Sequence, residues 1–271
     1  MDRMGRHLVY TLALDMGGAT AHRNMAKLLV SSLLRTRFDG DIVVFHNSPH
    51  PLFMVPRKGV REVALHPLQE PEEHWGFVEI AQSCKHAVIE HLHPEGYDKV
   101  MFIDCDCVAT RCINHLLEGS WDLAFFAETG APIQDGAYGA YLTEQEQAEF
   151  DRNGINSGTW AVAAPRLLEL LHRWRAVDAL PPRMVPCLRE QSAFNRVVLD
   201  WDGEVIEWPR HEIALPFCHK NLQTYWEWAP AAIVHAAGAG TTHHKLPFLF
   251  GVFCMKFMYD PQLTLFNILE M

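Results

Sequence analysis

Two apolar runs, each ending in an aspartate, constrain the fold of this chain most strongly. Residues 7–15 (HLVYTLALD) and 99–104 (KVMFID) hold almost unbroken series of apolar side chains. A strand with one face in water alternates apolar and polar residues, whereas a strand covered by helices on both faces is apolar throughout. The two runs therefore predict buried parallel strands in an α/β domain.

Strand and helix patterns alternate along the rest of the chain. Thr20 is placed to cap the first helix. The alternation predicts a mostly parallel sheet flanked by helices, in one Rossmann-like α/β domain. Ligands of such sheets bind beyond the carboxyl ends of the strands, where Asp15 and the pair Asp104 and Asp106 are expected. The further predicted strands are 41–46, 60–65, 122–127 and 232–235, and the predicted helices are 21–37, 77–92, 166–177 and 190–199.

The composition argues against several classes of partner. Acidic residues outnumber basic residues by 33 to 23, which gives a net charge of −10 and no general attraction for nucleic acid or anionic lipid. The first ten residues lack the pattern of a secretory signal, and no apolar run reaches the roughly 18 residues that span a bilayer. The seven cysteines are odd in number and irregularly spaced, which is typical of reduced thiols in a cytoplasmic protein.

The aspartate pair at 104 and 106 is the strongest chemical signal in the sequence. Unpaired charge is costly to bury, so two carboxylates directly after a buried strand need a partner. A divalent cation would satisfy both, and oxygen ligands suit Mg²⁺ or Mn²⁺, which also bridge to diphosphate oxygens. Capping of a turn or of a following helix is the purely structural alternative.

Two other interpretations of this segment stay open. The string FIDCDCVAT also resembles the first motif of haloacid-dehalogenase-type phosphatases, in which Asp104 would be a nucleophile and Asp200 and Asp202 would supply the later acids. Cys105, Cys107 and Cys112 with a nearby histidine could form a zinc site. Their C-x-C-x₄-C spacing lacks the paired C-x₂-C knuckles typical of zinc proteins.

Four segments, taken in order, resemble nucleotide-sugar glycosyltransferases of the GT-A fold. They are YDKVMFIDCDCVAT, GINSGTWAVAAPRLLELL, REQSAFNRVV and AAIVHAAGAGTTHHK, and together they cover most of residues 75–245. The likeness is closest to glycosyltransferase family eight, which includes glycogenin-like and lipopolysaccharide galactosyltransferase-like enzymes. The third segment has Glu190 where the family has aspartate. The resemblance implies a retaining enzyme that uses Mn²⁺, or Mg²⁺, and a UDP-sugar donor.

The resemblance also implies roles for individual residues near the nucleotide. Asp104, Asp106 and His235 would bind the metal, with Asp104 also near the ribose. Ala13 and Asp15 would line the base and ribose pocket. The donor would also be contacted by Lys85, Gly238 and Lys245, and the last two would close on the diphosphate.

The same resemblance divides the chain by function. Asn156 and Gln191 would contact the sugar, and Glu190 would bind sugar hydroxyls. Residues 1–128 would hold nucleotide and metal, residues 129–245 would hold sugar and an unidentified acceptor, and the apolar helical tail 246–271 would dock on the domain or on a second copy of the chain. The non-enzymatic alternative is an inactive module that binds nucleotide sugars.

Overall fold

The computed structural model describes residues 6–15, 20–65, 74–149, 152–183, 188–216, 230–236 and 242–257, with the side chains of 74–80 and 242–243 left aside. The fold is α/β, as predicted, and its main sheet is mostly parallel with the strand order β3-β2-β1-β4-β7-β6-β8. The strands are β1 (His7–Ala13), β2 (Asp41–His46), β3 (Val60–Ala64), β4 (Lys99–Ile103), β5 (Cys107–Ala109), β6 (Leu123–Pro132), β7 (Asn153–Ala163), β8 (Val205–Glu207), β9 (Ile213–Ala214) and β10 (Ile233–His235).

Helices flank this sheet, and a second sheet has the order β5-β10-β9. Within the described ranges, short 3₁₀ turns cover Val88–His91, Asn114–Leu117 and Ala164–Arg166. The helices are α1 (Ala21–Arg35), α2 (His74–Ala87), α3 (Glu144–Glu149), α4 (Leu167–Asp178), α5 (Arg189–Leu199) and α6 (Thr242–Phe257).

The chain divides into two compact units, each built from separate stretches of sequence. The first unit comprises Met1–Gln69, Phe102–Glu118 and Pro209–Met271, and the second comprises Glu70–Met101 and Gly119–Trp208. The functional division predicted at about residue 128 is contiguous in sequence, whereas these units are not. That division stays a prediction about function.

The first unit is built around β1, in which all seven residues are buried. Strand β1 pairs in parallel with β2, and β2 pairs in parallel with β3. The predicted helix 21–37 is α1, and the predicted apolar positions Met25, Leu28, Leu29 and Leu33 are buried. Burial also extends to Ala26, Val30, Ser31 and Ser32, so this part of α1 is enclosed on more than one face.

Helix α6 covers part of the first unit by packing on α1. Leu249, Val252 and Phe253 are buried, and the Arg35 guanidinium lies 5.7 Å from the centre of the Phe253 ring. The described portion of the predicted apolar tail therefore docks on its own chain, and its remainder, 258–271, lies outside the described residues. In the part of the chain that the structure describes, no helix has both the length and the apolar character needed to cross a membrane.

The second unit has an aromatic core between helices α4 and α5 and strand β7. Trp160, Trp174 and Phe194 are fully buried, with ring centres 4.7–5.9 Å apart. Strand β6 pairs antiparallel with β7 and parallel with β8. Tilted and edge-on aromatic contacts add to the free energy gained from burying these large side chains.

Several elements differ from the predicted pattern. The segment from Gly130 to Ile155, in which no strand or helix was predicted, contains helix α3 and the start of strand β7. The three-residue strand β5 follows the aspartate pair directly and was not predicted. Such a short strand carries no periodic signal, and it forms because it pairs with β10, which is more than 120 residues away in sequence.

Asn195 ties helix α5 to strand β7 through its side-chain amide. Its Oδ1 accepts a hydrogen bond from the Ile155 backbone N–H at 2.7 Å, and its Nδ2 donates to the carbonyl oxygens of Ile155 and Gln191 at 2.8 Å each. The residue is fully buried. The amide thus satisfies three buried backbone groups, which would otherwise each lower stability.

Replacing Asn195 by aspartate should destabilise the protein strongly. The Asn195→Asp side chain keeps the shape of asparagine but loses the donor to two buried carbonyls, so we expect unfolding to become easier by about 3 kcal/mol. Guanidinium-induced unfolding at neutral pH measures this change. The control is Asn24→Asp on α1, whose side-chain donor makes one long bond of 3.5 Å and whose replacement should change stability by less than about 0.5 kcal/mol. Equal effects of the two changes would contradict the proposed role of Asn195.

Candidate metal centre and a buried ion-pair cluster

The two aspartates of the predicted metal site lie on the turn between β4 and β5 in the first unit. Asp104 directly follows β4, and Asp106 directly precedes β5. The Asp106 side chain is 12 % exposed and that of Asp104 is 24 % exposed. The more buried carboxylate is the one that most needs a partner, since an uncompensated charge is costly away from water.

His235 reaches this turn because strand β10 pairs with β5. The two strands are antiparallel, with His235 opposite Cys107, and the Ala236 N–H donates to the Asp106 carbonyl oxygen at 2.9 Å. His235 Nε2 lies 3.2 Å from Asp106 Oδ1 and 3.8 Å from Asp104 Oδ2. The three residues predicted to bind metal are therefore brought together.

Lys245, on helix α6, contacts the other oxygen of Asp106. Its Nζ donates to Asp106 Oδ2 at 2.5 Å. Burial acts to raise the pKa of Asp106, but Lys245 and His235 outweigh it and hold that pKa well below its usual range. Burial likewise acts to lower the pKa of Lys245, and Asp106 reverses this so that the pKa is raised. Both groups are therefore charged at neutral pH.

The donor set fits a divalent cation. Asp106 is ionised, its Oδ1 faces the imidazole rather than Lys245, and Asp104 offers a second carboxylate on the same side. His235 Nε2 is the ring nitrogen that faces both carboxylates. Two carboxylates with an imidazole nitrogen form a ligand set that suits Mn²⁺ or Mg²⁺.

The structure adds Cys107 to the metal set implied by the glycosyltransferase resemblance, whereas the zinc alternative had grouped this residue with Cys105 and Cys112. Ligand atoms of Asp106, Cys107 and His235 all lie within 4.8 Å of one another. Cys107 is fully buried, and burial together with Asp106 and Asp104 raises the pKa of its thiol well above the usual value. The alternation of side chains along β5 could have indicated this position only if the strand and its partner were known.

Asp15, predicted to contact base or ribose, is engaged with the start of helix α1. Its Oδ1 accepts from the His22 N–H at 2.9 Å, and its Oδ2 accepts from the Arg23 N–H at 3.2 Å and from the Arg23 Nε at 3.0 Å. Thr20 occupies the N-cap position but makes no side-chain capping bond. Asp15 therefore performs the capping that Thr20 was predicted to perform, and the role of Asp15 toward a nucleotide stays a prediction.

For two other residues predicted to contact the nucleotide donor, the structure does not test the predicted contact. Ala13 is fully buried at the end of β1. Gly238 lies outside the described residues. Their roles toward the nucleotide stay predictions.

The residues predicted to contact the sugar form a cluster in the second unit. Lys85 Nζ lies 3.0 Å from Glu190 Oε1, and Ser157 Oγ bonds to both groups at 3.2 and 3.0 Å. The Ser157 backbone N–H donates to Gln191 Oε1 at 3.2 Å. Lys85 and Glu190 are both more than 90 % buried. Lys85, predicted to contact the donor, is therefore the counter-ion of Glu190.

Asn156 lies beside this cluster on β7. Its Oδ1 accepts from the Gly158 N–H at 2.8 Å, and its Nδ2 lies 3.4 Å from Glu128 Oε2. Glu128 also accepts a 2.6 Å bond from the Tyr138 hydroxyl. Glu128, Tyr138 and Ser157 were not singled out in the sequence, because polar residues of these types are common at strand ends and in loops.

The acids required by the phosphatase alternative are paired with arginines. Asp200 Oδ2 accepts from Arg196 Nε at 2.7 Å, and Asp202 Oδ1 accepts from Arg166 Nη2 at 2.6 Å. Both aspartates are more than half exposed. Surface ion pairs of this kind account for the two acids without a catalytic role.

Removing the Asp15 charge should weaken the protein in a pH-dependent way. Burial acts to raise the pKa of Asp15, but the bonds from His22 and Arg23 leave it below the usual value, so the stabilisation is present above about pH 4 and is lost as pH falls through the lowered pKa. We expect Asp15→Asn to lower stability by about 1–2 kcal/mol at pH 7. Urea unfolding at several pH values should show the gap to the unsubstituted protein closing below about pH 4, whereas a constant gap would contradict this account.

Removing the Lys85 charge alone should lower the stability of the protein far more than removing both charges of the Lys85–Glu190 pair. Lys85→Met removes the cation that faces the buried Glu190 carboxylate, which should lower the free energy of unfolding by about 3 kcal/mol or more. The double variant Lys85→Met, Glu190→Gln should recover much of this loss in denaturant unfolding. As a control, Arg173→Met breaks the half-exposed pair with Glu169 and should cost less than about 1 kcal/mol. A double variant no more stable than Lys85→Met would refute the pairing as the source of the effect.

Comparison of the chain with models of protein families and with curated proteins finds no match. The resemblance to glycosyltransferases therefore stays a prediction.

Proposed function

We propose that this protein is a cytoplasmic, metal-dependent glycosyltransferase of GT-A type. It would transfer a hexose from a nucleotide diphosphate sugar, with UDP-sugar as the expected donor, to an acceptor that is not yet identified. Retention of the anomeric configuration follows from the resemblance to family eight. The observation that carries the proposal is the convergence of Asp104, Asp106 and His235 beside Lys245.

A metal centre of this kind would supply the positive charge that an acidic protein needs to bind a diphosphate. The chain has a net charge of −10, so an anionic donor requires positive charge at the place where it binds. Asp104, Asp106 and His235 would hold the divalent cation. When bound, the cation would neutralise charge on the diphosphate and on the leaving group.

The protein's own groups are suited to support this chemistry. The bond from Lys245 at 2.5 Å keeps one Asp106 oxygen neutralised and leaves the other facing His235. Lys245 keeps its proton at neutral pH and can donate hydrogen bonds to a diphosphate oxygen as negative charge develops. The pairing of β10 with β5 already orders the backbone at His235, so that part of the entropy cost is not incurred on binding.

The sugar-binding roles of Glu190, Gln191 and Asn156 are proposed from the resemblance. Lys85 lies 3.0 Å from Glu190 in a buried environment, and such an ion pair offsets part of the cost of desolvating the carboxylate. An ionised carboxylate accepts strong hydrogen bonds from hydroxyl groups, which suits a sugar. In this proposal, Lys85 acts through Glu190 and is a positioning residue.

The experiment that tests the proposal combines ligand stabilisation with donor hydrolysis. The protein is melted with a panel of nucleotide sugars in Mn²⁺, Mg²⁺ or chelator, and release of nucleotide diphosphate is measured in parallel. A ligand at a hundredfold excess over its Kd should stabilise the folded state by about 2.7 kcal/mol. We expect one UDP-sugar with Mn²⁺ to give a shift and slow hydrolysis, and chelator to abolish both.

Variants of the centre connect this response to particular residues. Asp106→Asn and His235→Ala should each lower metal-dependent hydrolysis at least about a hundredfold, since removal of a single electrostatic group at a reacting centre has effects of that size. Asp202→Asn, which changes an exposed aspartate of the second unit, should leave hydrolysis unchanged. Hydrolysis that survives both centre variants would refute the proposal.

The other outcomes identify the alternatives. Phosphatase activity with Mg²⁺ and no response to nucleotide sugars would favour the interpretation in which Asp104 is a nucleophile. Stabilisation by a nucleotide sugar without hydrolysis or transfer would favour a binding module.

A further inference from the structure

The sulfur of Cys107 belongs to the same cluster as two of the proposed metal ligands. Cys107 and His235 are direct partners in the antiparallel pairing of β5 with β10. Directly opposed residues of such a pair have side chains on the same face of the sheet, close enough to touch. The ligand atoms of Cys107, His235 and Asp106 accordingly lie within 4.8 Å of one another.

A thiol in this position changes which metals the cluster can hold. Carboxylate and imidazole ligands suit Mn²⁺ and Mg²⁺, whereas a thiolate selects softer ions, among them Zn²⁺. Tetrahedral Zn²⁺ with sulfur, nitrogen and oxygen ligands requires ligand atoms about 3.3–3.8 Å apart, given the usual bond lengths. Side-chain movements of about 1 Å would bring the three groups to those separations.

Burial supports a ligand role over a packing role for this set of side chains. Cys107 is fully buried, and the His235 side chain is 8 % exposed with its Nε2 3.2 Å from Asp106 Oδ1. Buried polar atoms normally have partners, and a sulfur, a nitrogen and a carboxylate oxygen gathered away from water can share one. A single cation bound by all three would be that partner.

We propose that this centre has a second, thiophilic mode in which Asp106, Cys107 and His235 bind Zn²⁺. The inference rests on the proposed function insofar as it concerns the same centre. Asp106 and His235 are shared with the Asp104-containing set, so the two modes exclude each other and Zn²⁺ competes with Mn²⁺. On binding, the Cys107 S–H bond breaks, a metal–sulfur bond forms, and the proton passes to solvent.

Cys105 provides a matched control, because it flanks Asp106 on the other side. It is also buried, at 6 % exposure, but it lies in the turn and not on β5 opposite His235. The convergent group found among the described residues contains Cys107 and not Cys105. Replacement of either thiol by serine changes one atom, so the two variants differ only in which position loses sulfur.

The test uses Co²⁺, which occupies zinc sites and reports on its ligands by absorption. Full-length metal-free protein is titrated with Co²⁺ under reducing conditions, and the near-ultraviolet thiolate-to-cobalt band is recorded. We expect the band in the unsubstituted protein and in Cys105→Ser, and its absence in Cys107→Ser. Zn²⁺ should displace Co²⁺, with an affinity at least about tenfold lower for Cys107→Ser, since even outer-shell losses have effects of that order.

The outcomes separate this inference from the proposed function. If nucleotide sugar with Mn²⁺ still stabilises Cys107→Ser, the variant is folded and the Asp104-containing set still binds Mn²⁺. Loss of the cobalt band in that same variant would then support the inference. Cobalt bound without a thiolate band, or with a band that Cys107→Ser retains, would overturn the inference and leave the glycosyltransferase proposal standing. Failure to bind any divalent metal would overturn both.

Discussion

The antiparallel pairing of β5 with β10 is the interaction on which the candidate centre depends. It joins residues more than 120 positions apart and brings His235 to Cys107 and to the turn that carries Asp106. Only three residues of each strand take part, so the pairing itself contributes little free energy. Hydrogen bonds at its ends extend it, from the Ala236 N–H to Asp106 and from the Thr110 N–H to Ala232. The ladder therefore sets the ligand geometry through the backbone.

Buried carboxylates in both units are each paired with a basic side chain. In the first unit, Lys245 faces Asp106. In the second unit, Lys85 faces Glu190, and His86 Nε2 lies 2.9 Å from Asp178 Oδ2. Such pairs contribute little net stability but are costly to break, because a lone charge would remain away from water. They hold their members in one position, which a binding or catalytic cluster requires.

The local elements of this fold were largely predictable. The apolar run around β1 and the spacing of apolar residues in α1, α4 and α5 identify those elements with small errors at their ends. Their signal is repeated over many residues, and burial of one continuous face produces it. The capping of α1 was assigned to Thr20, whereas Asp15 performs it from six residues before the helix. A carboxylate that precedes a helix by six residues and bonds to its first turn produces no recognisable capping motif in the sequence.

The sequence by itself determined the α/β class, the aspartate pair at the end of a buried strand, and the grouping of Asp104 and Asp106 with His235, since these depend on local pattern and on resemblance. Tertiary structure alone decided that Cys107 joins the cluster and that Lys85 neutralises Glu190. Both depend on the register and packing of distant segments, and a single thiol or lysine in a sequence carries no information about which distant residue it will face.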